Sequence, residues 1–344
     1  MAILDAATNQ GADGFDTYTT LSQKYTVEGT PTIGAFGRNS TNGVQINNNN
    51  EGILAGIPAV STVIVAVAFI LNTVSSGADV PIIALWDGGT LQVDLRLDVS
   101  GHFFFTRNGT LIGAKSTNAI IEDVYHHLEF QVTINNATGS IELRVDGTAT
   151  GWIPTTGGLD TQNTANASVN GVRLQREVGS NPSIVSFDDF VIMDTTGATN
   201  NTFMGDRRVK EDVANADGAP VDWTAVGAAS DFQCVDDNPP NEDTDHITSS
   251  TVGQRSVFTF PALGIVTGVV DAVQIELRHR KDDAGARTVA ARVESGASAA
   301  NGANIPCADN YAFDVGTFET DPNTAVAWTI AGVNALEGGV ELIT

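Results

Sequence analysis

Val124-Tyr125-His126-His127-Leu128-Glu129-Phe130-Gln131-Val132-Thr133-Ile134, then Asn135-Asn136-Ala137-Thr138-Gly139, then Ser140-Ile141-Glu142-Leu143-Arg144-Val145-Asp146-Gly147 is the stretch that decides the fold. At a period of two, His126, Leu128, Phe130, Val132 and Ile134 share one strand face, and His127, Glu129, Gln131 and Thr133 share the other. Ile141, Leu143 and Val145 repeat the inward set; Glu142, Arg144 and Asp146 repeat the outward one. A short Asn/Gly-rich loop joins the two runs, and Asp146-Gly147 suits a positive-φ turn. The pattern predicts an antiparallel hairpin with one buried and one wet face. Phe130 belongs to the core, with His126 beside it as a satisfied core histidine.

Outward from the hairpin, the same grammar continues. Leu91, Val93, Leu95, Leu97 and Val99 alternate with Gln92, Asp94, Arg96 and Asp98, and Ser100-Gly101 and Asn108-Gly109 mark turns around His102 to Thr106. Ile57 to Leu71 is apolar, rich in β-branched residues and too short to span a bilayer, so it is expected as a buried strand. Gly171 to Gln175 and Ile184 to Asp194 follow a polar loop at Thr155 to Ala167. Many short strands in the first part imply a two-sheet sandwich, residues 1–205. A smaller β domain, residues 206–344, is expected from weaker alternation at Val269 to Arg280 and short runs near Tyr311, Val326 and Val340. The fold class is all-β.

The formal net charge of -24 disfavours nucleic acid and anionic lipid as partners. The first residues, Met1-Ala2-Ile3-Leu4-Asp5, carry neither a basic region nor an apolar run, so no signal peptide is expected. Cys234 and Cys307 lack metal-type spacing; one disulfide and two buried thiols both fit.

The hairpin resembles laminin G-like and pentraxin-like jelly rolls of the concanavalin A-like superfamily, through Tyr125-His126-His127-Leu128, Gly139 and Asp146-Gly147. A wider set looks like virion proteins of tailed bacteriophages. It comprises Asp13-Gly14-Phe15-Asp16, Phe36-Gly37-Arg38, Ser186-Phe187-Asp188-Asp189-Phe190, Phe203-Met204-Gly205-Asp206 and Arg280-Lys281-Asp282-Asp283-Ala284-Gly285. That resemblance implies a structural, tail- or surface-associated particle protein, assembled in the host cytoplasm, whose partners are other virion proteins and copies of itself. A trimer is the oligomer it suggests. The alternatives are a carbohydrate-binding adhesin module for the host envelope and a capsid decoration or collar protein.

Chemistry is sparse along the chain. None of the five histidines has a compact ligand spacing. Asp94/Asp98 and Glu142/Asp146 are interleaved with arginine and are expected on solvated faces, not as a glycosidase pair. The chain is therefore expected not to be an enzyme. Asp188 and Asp189 interrupt an apolar strand, where carboxylates must be paired, and a structural role is expected for them. For a glycan, Trp86, Asp87, Trp152 and Asn163 are the candidate platform. No cofactor is called for except Ca²⁺, for which Asp237, Asp243 and Asp245 are the candidate ligands, although Pro239-Pro240 stiffens their loop.

Overall fold

The computed structural model describes residues 3–4, 11–73, 78–176 and 183–344; Met1, Ala2 and Asp5 of the leader reading lie outside them. The chain is all-β and divides into two units, 1–209 and 210–344, a few residues beyond the sequence-based boundary. No helix among the described residues is long and apolar enough to cross a membrane.

In the first unit the strands are, in order, β1 (Ala12–Asp13), β2 (Thr26–Glu28), β3 (Thr32–Gly34), β4 (Gly43–Ile46), β5 (Glu51–Val60), β6 (Thr62–Thr73), β7 (Val80–Asp87) and β8 (Thr90–Leu97). They continue as β9 (Phe103–Arg107), β10 (Thr110–Ile112), β11 (His126–Thr133), β12 (Gly139–Val145), β13 (Thr148–Leu159), β14 (Val169–Arg176) and β15 (Ile184–Asp194). One sheet runs β13-β12-β11-β6-β15-β4-β3 with β1 on β15, and the other runs β10-β9-β8-β7-β14-β5-β2. All their pairings are antiparallel, the arrangement of a jelly-roll sandwich.

The deciding hairpin is β11–β12, with Leu128 opposite Val145, Phe130 opposite Leu143 and Val132 opposite Ile141. Asp146 and Gly147 both take positive φ, 51° and 79°, as a tight hairpin turn requires. Aromatic contacts tie the sheets together: Phe130 meets Phe105 with ring centroids 5.7 Å apart, and Phe69 meets Phe103 at 6.3 Å.

Three expectations need correction. Ile57 to Leu71 is not one strand. The chain breaks at Ser61, and its halves enter different sheets, β5 in one and β6 in the other. His126 is not a core residue; it sits at the strand end, half-buried, with Nδ1 2.8 Å from Asp146 Oδ2. The face expected to be wet is not wet: His127 is 2% and Glu129 0% exposed.

The cover for that face is the unit's own last segment. The Met204 and Gly205 N–H groups donate to the Glu129 carboxylate at 2.7 and 2.9 Å, and Arg144 lies 4.0 Å over the Phe203 ring. Arg38 is held between Asp189 (2.7 Å) and Asp206 (2.6 Å), while Val209 N–H donates to Asp189 at 2.7 Å. Asp188 accepts from the Arg38 N–H at 2.7 Å and from the Thr41 hydroxyl at 3.1 Å. A bulge between Asp188 and Val191, with Asp189 at φ 51°, lets adjacent carboxylates serve this one cluster. The apolar outer face of β6 therefore lies beside a strap from its own chain, and its burial is no argument for a second copy.

The second unit holds β16 (Ala216–Val221), β17 (Thr224–Val226), β18 (His246–Thr248), β19 (Arg255–Thr259), β20 (Val273–His279) and β21 (Thr288–Ser295). Next come β22 (Ser298–Asn301), β23 (Ile305–Pro306), β24 (Ala312–Phe318), the short α1 (Ile330–Asn334) and β25 (Glu337–Leu342). Ile275, Val293, Phe318, Trp328 and Leu336 centre one core cluster. The strand expected near Val326 is absent. Thr329 caps a helical turn there instead, accepting from Gly332 N–H at 2.9 Å.

Candidate functional site

The outer face of the seven-stranded sheet carries the candidate site. Alternation along β14 sends Val172 and Leu174 into the core and Gly171, Arg173 and Gln175 outward. Register then sets Gly171 beside Trp86 and Arg173 beside Ala84 on β7, and Ala84 beside Asp94 on β8. The next neighbour of Asp94 is Thr106 on β9. One surface thus runs from Trp86 across small residues to Arg173 on one side and Asp94 on the other.

Gly52 on β5 makes room for the arginine. A Cβ there would lie 2.7 Å from Arg173 Nε and 2.6 Å from the Leu174 carbonyl, so only glycine lets the guanidinium cross that strand. Arg173 Nη2 ends 2.7 Å from the half-exposed Glu28 carboxylate, as an ion pair and not an aligned hydrogen bond. On the far side, Asp94 accepts from Arg96 Nε at 2.8 Å and from the Thr106 hydroxyl. Asp94 is 1% exposed, which corrects the solvated reading. One partner lies two residues along β8 and the other across on β9. Glu142, 8% exposed, is likewise held by Arg144 at 2.7 Å and by the Thr155 hydroxyl.

Several polar atoms on this face have no hydrogen-bond partner: Trp86 Nε1, Arg173 Nε, and both Nε2 and Oε1 of Gln175. Gln175 is 0% and Arg173 4% exposed. A buried polar atom left unpaired costs about 1–3 kcal/mol. Three such side chains on adjoining positions of two paired strands mark a place where a bound molecule or water completes the structure.

A loop walls one end. Gln92 Nε2 donates to Thr164 Oγ1, Asn166 O and Ser168 O at 2.8, 2.8 and 3.0 Å, and Gln92 Oε1 accepts from the Asn163 N–H at 2.6 Å. Asp87 accepts from Thr164 Oγ1 at 2.6 Å and Asn166 Nδ2 at 3.0 Å, and Asn163 Nδ2 donates to the Leu91 carbonyl at 2.7 Å.

Of the four residues expected as a glycan platform, Trp86 lies on this face while Asp87 and Asn163 are spent fixing its wall. Trp152 is elsewhere. It packs on core-facing Phe103 at 5.7 Å, so the two tryptophans form no common platform. Sequence reasoning missed Arg173 and Gln175; their alternation with Val172 and Leu174 is visible, but the pairing of β14 with β7 is not.

The Ca²⁺ set is not brought together. Asp243 turns to Arg280 Nη2 and the Tyr311 hydroxyl, each at 2.8 Å, leaving Asp237 and Asp245 without it. No group of three or more acidic, histidine or cysteine side chains among the described residues is placed to hold a metal. Cys234 and Cys307 are both free thiols.

No family model matches the chain, and no curated protein does. Among solved structures it is similar to a cellulose-induced protein, Cip1, with TM-score 0.43 and 16% identity over 57% of this chain and 99% of that one. It is also similar to an alginate lyase, Aly36B (TM-score 0.37, 12% identity, 56% and 96% covered). A sialidase matches with TM-score 0.39 and 11% identity over 55% of this chain, which spans only 19% of the sialidase's length. At these identities the likeness concerns architecture alone. It does correct the expectation that the chain is not an enzyme: two of these structures are named as enzymes.

Proposed function

We propose that this protein engages a glycan of the host envelope, on the outer face of its seven-stranded sheet, as a surface or tail component of a tailed-phage particle. The particle assignment rests on the resemblance carried by Asp13 to Asp16, Phe36 to Arg38, Ser186 to Phe190 and Phe203 to Asp206. The glycan assignment rests on one observation: Trp86, Arg173 and Gln175 share a face and leave polar atoms unpaired. A sugar ring offers what those atoms lack. Its hydroxyl oxygens accept from indole and guanidinium N–H groups, an amide both donates and accepts, and its C–H face packs on an aromatic ring.

Binding of host envelope polysaccharide to the purified full chain tests this, read by calorimetry with product analysis of the same mixture. Trp86→Ala and Arg173→Ala are each expected to weaken binding roughly tenfold or more, as loss of a central aromatic or arginine anchor does. Trp152→Ala should leave it unchanged. Wild-type affinity retained in both of the first two variants would overturn the assignment. The product analysis shows whether the bound glycan is held or cut.

A further inference from the structure

We propose that a cleft on the outer face of the eight-stranded sheet, lined by Phe36, Gln45 and Tyr125, is a second binding site, for a single uncharged sugar ring. It lies on the sheet opposite Trp86 and is independent of that face. Its floor follows from register and alternation. Leu71, Val185 and Ile46 pair in one row and are buried in the core. The next row, Ile70, Ser186 and Gln45, therefore points outward. The walls come from outside the sheet. Gly43 lets the loop before β4 lie flat on β15: a Cβ there would stand 2.8 Å from the Phe187 carbonyl oxygen and 3.0 Å from the Gly37 Cα. That loop carries Phe36, and the Tyr125 hydroxyl donates to the Phe36 carbonyl, so the two aromatic residues are fixed to one another. The cleft has a volume of about 390 Å³, and Asn72 and Ile184 also line it.

The lining sets the chemistry of the ligand. None of the described residues that line the cleft is charged. Asp188, one row deeper, is buried and held by the Arg38 N–H and the Thr41 hydroxyl. An ion finds no counter-charge there, and the net charge of -24 repels anions besides. What the cleft offers is apolar and hydrogen-bonding surface together. Phe36, Ile70 and Ile184 are only half-buried and keep apolar surface exposed. Gln45 Nε2 reaches Ser186 Oγ at 3.4 Å, a long bond and the only one either side chain makes among the described residues. Ser186 accepts there while 2% exposed, so its own hydroxyl proton is still to be given, and the Gln45 carbonyl oxygen is open to a donor. A pyranose matches this set. Its hydroxyls both donate and accept, and its C–H face packs on an aromatic ring and on the isoleucines. The volume falls at the low end of the range for ligand sites, about 300–1,000 Å³, which favours one ring over a chain.

The probes are the methyl glycosides of glucose, galactose, mannose and N-acetylglucosamine, titrated into the full chain and read on isoleucine methyl signals. Ile70→Val and Ile184→Val assign the two signals of the cleft. At least one glycoside is expected to shift both, saturating at millimolar sugar, as suits a single ring with few contacts. Trp86→Ala should titrate as wild type does, which separates this site from the other face. Gln45→Ala, a change on the outward row that leaves the core packed, should weaken binding roughly fivefold through loss of the amide's hydrogen bonds. Tyr125→Phe frees the Phe36 carbonyl and should weaken binding too. Signals of Ile70 and Ile184 that stay still with all four glycosides would overturn the proposal. So would wild-type affinity in Gln45→Ala, or shifts that vanish in Trp86→Ala.

Discussion

Asp189→Ala is expected to destabilise the jelly-roll unit by about 3 kcal/mol, the cost of taking from a buried guanidinium one of its two carboxylate partners, with Asp206 left to it. Asp189 is 4% and Arg38 6% exposed, so solvent cannot take over the guanidinium once the carboxylate is gone. The same change frees the Val209 N–H and loosens the strap whose Met204 and Gly205 N–H groups sit on Glu129. Asp188→Asn should behave differently. Burial, then the charge of Asp189, pushes the Asp188 carboxyl up to about 7. A folded-state value above the unfolded one means that ionised Asp188 is a cost above pH 7, relieved as the pH falls. From pH 8 to 6.5 this gain is on the order of 1 kcal/mol. The asparagine variant should be missing that increment relative to wild type in paired urea titrations. Below pH 6.5 His127 opposes it: burial lowers that imidazole to about 4, so its neutral form contributes stability that is lost between pH 6.5 and 4. An Asp189→Ala chain as stable as wild type would mean that the strap is not held by this cluster.

Phe130→Ala is the second large effect, about 3–5 kcal/mol, from lost transfer energy and the cavity left behind. Phe130 is 1% exposed, lies opposite Leu143 and Val65, and packs edge-on against Phe105 of the facing sheet. The neighbouring Gln131→Ala should cost about 0.5 kcal/mol or less. Equal shifts of the two denaturation midpoints would show the strand faces to be reversed.

The hairpin shows what period-two alternation can and cannot carry. Which residues face inward on β11 and β12 is legible, because burying Leu128, Phe130 and Val132 requires the one register found. What covers the other face is not legible. Glu129 and His127 look like solvated surface until residues 203–209, some seventy positions later, fold over them. The break at Ser61 is hidden for a related reason: the stretch from Ile57 to Leu71 has no period-two alternation to mark where one strand ends. The candidate site has the same character. Gln92, Asp94 and Arg96 read as the polar alternates of their strand, but only the pairing of β14 with β7, nearly ninety residues apart in sequence, brings Arg173 and Gln175 to the face of Trp86. Asp87 and Asn163, expected as part of a glycan platform, anchor the loop at its end instead.

Whether a glycan occupies that face is reported directly by the indole N–H of Trp86. The chain has four tryptophans, so a nitrogen–proton correlation spectrum holds four indole signals at most. Trp86→Phe assigns the one that matters. Titration with host envelope polysaccharide should move the Trp86 signal, because its unpaired N–H gains an acceptor, and leave Trp152 in place. A signal from Trp86 that stays still while the polysaccharide binds elsewhere would contradict the account.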